Sequence, residues 1–286
     1  LAYRSCFWLS CSHWGKLRLS NTTTAGLTSG GAKKREGKKI MSLSLDGRVA
    51  LITGAGSGIG RSHAVLMAER GADVIINDIN AEGLAETAEK AAANGRRIHQ
   101  VVEDVRDIAA MTNAAKKAEA EFGKIDILVN NAGVSGQRLA FEDITEEAYD
   151  RMVDINLKGA FFLTQAIVPG MKECRYGKII NTSSMYAMGG NNVGAHYSAA
   201  KSALSGLTNS LARELAEWNI MVNAVAPGFV LTGMTSPGRD EEGLKRRVQQ
   251  VPLQRMSGEF DIAYTVAFLA SDEADFITGQ VISPNG

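Results

Sequence analysis

Between residues 48 and 228, six apolar runs alternate with five stretches of helical spacing, and no other feature narrows the possible folds as far. The first run, "RVALITG" (48–54), is apolar from Val49 to Ile52 and stops at a glycine. A strand covered on both faces has that pattern; a half-exposed strand would alternate. Residues 59–72 follow, with Ile59, Ala64, Leu66, Met67 and Ala68 on one side and Gly71 as the stop. Further strands are expected at 73–78, 98–104, 126–133, 177–184, 220–228 and 280–284. Helices are expected at 80–95, 107–122, 146–173, 195–217 and 259–270, with a polar helical segment at 232–250. The spacing predicts that the 146–173 helix breaks late, at Pro169-Gly170. Strand–helix repetition requires parallel strands joined by crossovers that cover both faces. With right-handed crossovers, residues 44–286 become a single α/β, doubly wound Rossmann-type domain around a central seven-stranded parallel sheet.

The 286 residues, 45% hydrophobic and 22% charged, suffice for one core of that size. No stretch reaches the roughly 18–20 uninterrupted apolar residues of a bilayer span, so no membrane partner is expected. The three cysteines, Cys6, Cys11 and Cys174, form no CxxC or Cys/His pattern. No metal is expected, and a reducing, cytoplasmic setting is. The zero net charge is unevenly divided. Residues 1–40 carry eight basic residues and one acidic residue; the rest carries 23 basic and 30 acidic. A mildly acidic body argues against nucleic acid as a partner. For residues 1–40 three readings compete. Their Arg/Ser-rich composition fits a mitochondrial transit peptide, which would move the protein to the matrix, and "KKREGKK" fits a basic tail. The third reading is translated upstream sequence. The chain opens on Leu1, Arg35-Glu36-Gly37 can be encoded by a purine run of ribosome-binding type, and Lys38-Lys39-Ile40 would space it from a start at Met41. All three leave residues 1–40 as an extension outside the folded domain.

"TGAGSGIG" (53–60) joins the first strand to the first helix. Its spacing is Gly54-x-x-x-Gly58-x-Gly60, with Ser57 and Ile59 between the glycines. Glycines permit a tight turn, let backbone N–H groups approach a pyrophosphate and aim the helix N-terminus at it. Asp78 ends the second strand, 18 residues after Gly60, where an acidic side chain in a dinucleotide fold meets the ribose hydroxyls. The plainer alternative is a turn or helix-capping aspartate, and both roles are compatible. A carboxylate there repels the 2′-phosphate of NADP, and no Arg or Lys stands in "NDIN". NAD(H) is therefore the expected cofactor.

Tyr197 and Lys201 sit four apart on a predicted helix, hence on one face. A phenol with a pKa near ~10 is a poor base at neutral pH. A neighbouring cation, and the positive nicotinamide ring, would lower it and suit it to proton transfer at an alcohol or ketone. The spacing alone is common. Ser184, at the end of the fifth strand, adds a hydroxyl where open α/β sheets bind ligands. Asn156 in "DINLKGAF" is a polar residue in an apolar helix, either a surface amide or an anchor for a water near Lys201.

Taken together, "TGAGSGIG", "NNAG" (130–133), the Asn156 segment, Ser184, "YSAAK" and "PGFVLT" (227–232) resemble the short-chain dehydrogenase/reductase family, in spacing and order, from about Leu45 to Gly286. The resemblance implies a catalytic tetrad of Asn156, Ser184, Tyr197 and Lys201, with Tyr197 and Lys201 also touching the cofactor. Gly54, Ser57, Gly58, Ile59 and Gly60 would then cradle the pyrophosphate and Asp78 the adenosine ribose, and the resemblance implies that Asp104 and Val105 meet the adenine. Asn131, Ala132 and Gly133 would line the cofactor, and Pro227, Gly228, Val230 and Thr232 would reach the nicotinamide end. It further implies a homotetramer, with the 146–173 and 197–217 helices at one interface and a few more residues after "SPNG" in relatives. The glycine spacing separates the chain from the extended, epimerase-type members.

The expected partner is a small-molecule alcohol or ketone. Its pocket would be walled by 185–196, including Met185, Met188, Asn191 and His196, and by 232–252 acting as a lid. Lys245-Arg246-Arg247 is either a phosphate-binding cluster or a solvated helix face. His63 reads as a packing residue, His99 as a strand residue and Cys174 as inert. Two enzyme readings stand. One is an NAD(H)-dependent secondary alcohol/ketone oxidoreductase, either 3-oxoacyl reductase-like or a catabolic alcohol, sugar or steroid dehydrogenase. The other is an NADP(H)-dependent 3-oxoacyl-acyl-carrier-protein reductase. A non-catalytic dinucleotide-binding regulator or a structural subunit is disfavoured, because all four catalytic positions are filled.

Overall fold

A computed structural model of the chain describes residues 44–190, 194–231 and 241–286. The readings of residues 1–40, Asn191 and Thr232, and of the first half of the lid, lie outside the described residues. The element order is β1 (Val49–Thr53), α1 (Gly58–Glu69), β2 (Asp73–Asp78), α2 (Ala81–Ala92), β3 (Ile98–Val102), α3 (Ile108–Phe122) and β4 (Ile127–Asn130). The second half runs α4 (Glu146–Val153), α5 (Gly159–Cys174), β5 (Gly177–Thr182), α6 (Met185–Gly189), α7 (Ala195–Glu214), β6 (Ile220–Val225), α8 (Glu241–Val248), α9 (Glu259–Ala270) and β7 (Val281–Ile282).

The seven strands form one parallel sheet in the order β3-β2-β1-β4-β5-β6-β7. The expected sheet is therefore the one present. Its strands are shorter than their apolar runs, because the residues after each strand end turn away to build the ligand edge. Alternate side chains enter two separate cores. Ala50 and Ile52 face α1, α2 and α9, whereas Val49 and Leu51 face α3, α5 and α7. The strand order reverses between β1 and β4, and that switch point opens the crevice where such sheets bind ligands.

A polar ladder crosses the second half of the sheet. Asn130 Nδ2 donates to Thr164 Oγ1 and to Asn181 Oδ1, both at 2.9 Å, and Asn181 Nδ2 donates to Thr208 Oγ1 at 2.9 Å. These buried groups fix α5 and α7 to β4 and β5 in one register, because each loses a partner if the helices slip.

The expected break at Pro169-Gly170 is absent. α5 runs through both residues to Cys174, and a β-carbon on Gly170 would overlap the Glu119 carboxylate of α3. Gly170 thus admits α3 rather than ending a helix. The irregularity lies earlier, where Asp154–Lys158 forms a π-helical turn between α4 and α5. Such turns frequently mark functional sites, and this one carries Asn156.

His63 does pack inside, as its position in α1 suggests. Both its ring nitrogens are buried with no partner among the described residues, and burial pushes its pKa down from 6.5 to about 3. The fold therefore keeps His63 neutral across a range in which the unfolded chain takes up a proton. The unfolded state binds more protons between pH 6.5 and about 3, so stability falls as pH drops through that window. The loss is at most about 1.4 kcal/mol per pH unit. His63→Leu should flatten the acid limb of a plot of Tm against pH; an unchanged slope would assign acid lability to other groups.

Candidate active site

The crevice is built first from backbone. Gly54 has φ +65° and a β-carbon there would lie 2.8 Å from Ala132 Cα, so the turn after β1 touches the residues after β4 directly. Thr53 Oγ1 accepts from the N–H groups of Asn131 (3.0 Å) and Ala132 (2.9 Å). Asn131 Nδ2 returns the contact to the Thr53 and Gly54 carbonyls at 2.9 and 3.2 Å. A β-carbon on Gly60 would overlap the Gly54 carbonyl oxygen, so α1 starts against the turn with its N-terminus at the crevice. Ser57, in extended geometry, stands exposed before that helix and makes no side-chain cap bond. A backbone cradle of this shape fits a pyrophosphate.

Asp78 lies on the rim. Its Oδ2 accepts from Gly56 N at 2.9 Å and its Oδ1 from Asn80 N at 3.0 Å. The capping role weighed for it belongs instead to Asn80, whose side chain accepts from Gly83 N at the start of α2. Gly56 is gripped from behind as well. Arg61 donates to the Gly56 and Gly83 carbonyls and to Thr87 Oγ1, and pairs with Glu86 at 2.8 Å. The Arg61 guanidinium is thus committed to the turn and α2.

At the other side of the switch point, Ser184 caps the short α6, its Oγ accepting from Tyr186 N at 3.2 Å. Tyr197 hydrogen-bonds Ser184. Burial is the largest influence on the Tyr197 phenol and raises its pKa; the Ser184 bond acts in the lowering direction, and the Tyr186 phenol adds to the rise. The depression expected from Lys201 is not what the chain's own groups produce. Lys201 is buried, its Nζ donates to Thr182 O at 2.8 Å, and burial brings its pKa down from 10.5 to about 8.

Asn156 is not a surface amide. It is buried in the π-helical turn, its Oδ1 accepting from Val134 N (3.2 Å) and its Nδ2 donating to Val134 O (3.0 Å) and Met152 O (3.0 Å). Gly133 lies between the partners: a β-carbon on it would be 2.6 Å from Asn156 Oδ1 and 3.1 Å from Lys201 Nζ. Ser184, Tyr197, Lys201, Asn156 and Gly133 therefore converge at the carboxyl ends of β4 and β5.

The remaining positions are more peripheral. Asp104 is chelated by Arg106 at 2.7 Å, which holds its carboxyl below the usual range. Val105, beside it, packs on the second core and its carbonyl faces Gly159. The Pro227 carbonyl accepts from Met185 N at 3.1 Å, Gly228 N donates to Pro284 O at 3.3 Å, and Val230 is buried in a bridge to Ser257. This path leads toward Ser184 without reaching Tyr197 directly. His196 is buried and turned toward Gly136, and desolvation lowers its pKa. Lys245 and Arg246 pair with Glu241 and Glu242 on an exposed face, the solvated-face alternative. Cys174 is exposed, and His99 pairs with Glu121 at 2.9 Å. Sequence reasoning missed Thr53, Arg61, Val134 and Tyr186. Only Tyr186 carried a signal, a large aromatic two residues after Ser184. Among the described residues no cluster of three His, Cys, Asp or Glu is placed to hold a metal, and no helix is long and apolar enough to cross a membrane.

A dinucleotide cradle at the switch point, beside a serine, a tyrosine and a buried lysine, defines an α/β oxidoreductase acting on CH–OH groups. Residues 48–243 match the short chain dehydrogenase family, and the chain belongs to it. It is similar to the 3-oxoacyl-(acyl-carrier-protein) reductase FabG of Thermotoga maritima, with 40% identity over 242 residues, 85% of this chain and 98% of that protein. Among solved structures it is similar to levodione reductase, with 33% identity and a TM-score of 0.82 over 84% of this chain and 97% of that one. It is also similar to NAD+-bound xylitol dehydrogenase, with 32% identity and a TM-score of 0.79 over 83% and 97%.

Gly133→Ala should displace Asn156 or Lys201 and lower kcat by about 10- to 100-fold in a steady-state assay, the order expected when groups of an active site are misplaced. Wild-type turnover in this variant would show that Gly133 is not a required point of close approach.

Proposed function

We propose that the chain is an NAD(H)-dependent oxidoreductase interconverting a secondary alcohol and its ketone, with Tyr197 moving the proton. The observation that carries this is the Tyr197–Ser184 hydrogen bond beside buried Lys201 at the carboxyl end of β5. Ser184 would hold the substrate oxygen. Tyr197 would take its proton during oxidation and return it during reduction. Bound NAD would accept the hydride and bring a positive ring next to the phenol. Such a charge is needed, because burial alone raises the phenol. Lys201, at about 8, keeps a substantial ammonium fraction at neutral pH and is placed to hold the cofactor ribose. Asn156 would keep the Val134 segment, and a water beside Lys201, in place.

Asp78 supports NAD over NADP. Both carboxylate oxygens are held by backbone N–H groups, so the charge is fixed on the rim, and Arg61 is paired with Glu86 instead of facing outward. The second reading, an NADP(H)-dependent 3-oxoacyl-acyl-carrier-protein reductase, is favoured by the likeness to the Thermotoga maritima protein. A homotetramer in the cytoplasm remains the assembly and setting we infer for either.

Two measurements decide between these readings. Tyr197→Phe should lower kcat by about 10²-fold or more while leaving the NAD Kd within about twofold. Equal turnover would favour a dinucleotide-binding regulator. For the wild type, kcat/KM should be higher with NAD(H) than with NADP(H); the reverse order would establish the second reading.

A further inference from the structure

Next to Ser184 the structure carries an aromatic pattern of its own. Tyr186 follows Ser184 by two residues in the short α6, and its backbone is tied to the Ser184 hydroxyl. Its ring meets Phe229 edge-on, with centroids 6.4 Å apart and planes at 72°. Arg247 of α8 lies over the Phe229 ring, its guanidinium carbon 4.7 Å from the centroid. Tyr186 is also close enough to Tyr197 to disfavour its phenolate. A continuous row thus runs from the lid helix through Phe229 and Tyr186 to the proton-transfer tyrosine. Both rings are half-buried, so each keeps surface available to a ligand.

Of the three successive cations on α8, Lys245 and Arg246 pair with Glu241 and Glu242 in solvent, whereas Arg247 is stacked on the Phe229 ring. An aromatic pair set edge to face offers a third ring a choice of edge or face contacts. A flexible acyl chain gains burial there but no such geometric match.

We propose that Tyr186, Phe229 and Arg247 form the specificity wall of this site, and that it selects a flat ring carrying the secondary alcohol or ketone over an acyl thioester. This rests on the proposed alcohol/ketone activity and names its substrate class. The wall residues act on substrate fit, whereas Tyr197 acts on the proton.

The test compares kcat/KM for 1-phenylethanol, 2-butanol and 3-hydroxybutyryl-CoA with NAD in the wild-type protein and in Phe229→Leu, Tyr186→Leu and Phe229→Tyr. The wild type should prefer 1-phenylethanol over both others by about tenfold or more. That preference should fall by about five- to tenfold in Phe229→Leu and Tyr186→Leu and be retained in Phe229→Tyr, with the NAD Kd reporting that each variant is folded. A wild type that favours the thioester or 2-butanol, or leucine variants that keep the ring preference, would overturn the wall while leaving the alcohol/ketone activity standing. Turnover of none of the three would overturn that activity and the wall with it.

Discussion

Everything in the site hangs from the seam where β1 and β4 end side by side. The strand order reverses there, so the two chains leave the sheet in opposite directions and their last peptide groups lose their ladder partners. Thr53 and Asn131 supply replacements: one hydroxyl receives two N–H groups, and one amide reaches two carbonyls. The seam is closed by side chains, which leaves the ligand side of the turn open. Both halves of the site are then fixed relative to each other, the glycine turn through Gly54 and the Asn156 and Lys201 side chains through Gly133.

The same logic extends outward along the sheet. The Asn130–Asn181–Thr208 ladder holds α7, and with it Tyr197 and Lys201, to the central strands. Lys201 can be buried because its ammonium finds the Thr182 carbonyl at the end of β5. Burial lowers its proton affinity and raises that of Tyr197, so the two groups, nearly matched when free, are driven apart in pKa, the phenol holding its proton more tightly than the ammonium.

The sheet was readable in the sequence because a strand buried on both faces has to be apolar throughout, and few other structures impose that. The glycine turn, Asp78, Ser184 and the Tyr197/Lys201 pair could be singled out in the sequence because the chemistry proposed for them needs those residue types at fixed distances along the chain. The π-helical turn was not, since Asp154–Lys158 has the composition of an ordinary helix and its geometry answers to Val134, which is distant in sequence. The break placed at Pro169 was wrong for a related reason. Local propensity marks proline as a stop, and packing of α5 on α3 overrides it. Arg61 stayed unremarked because its partners, Gly56, Gly83, Thr87 and Glu86, lie on a different element.

The π-helical turn also limits how this gene can change in length. Such a turn holds one residue more than the α-helix it interrupts. Removing one residue from Asp154–Lys158 would let a regular α-helical ladder close over the stretch, with α4 and α5 nearly in phase and the extra position lost. Asn156, which that turn carries, would then leave Val134, although its residue type had been kept. Point substitutions and single-codon deletions are therefore governed by different rules here. The stretch from Met152 to Thr164 should keep its length through lineages that freely vary its letters, while insertions collect in the loop before Glu146.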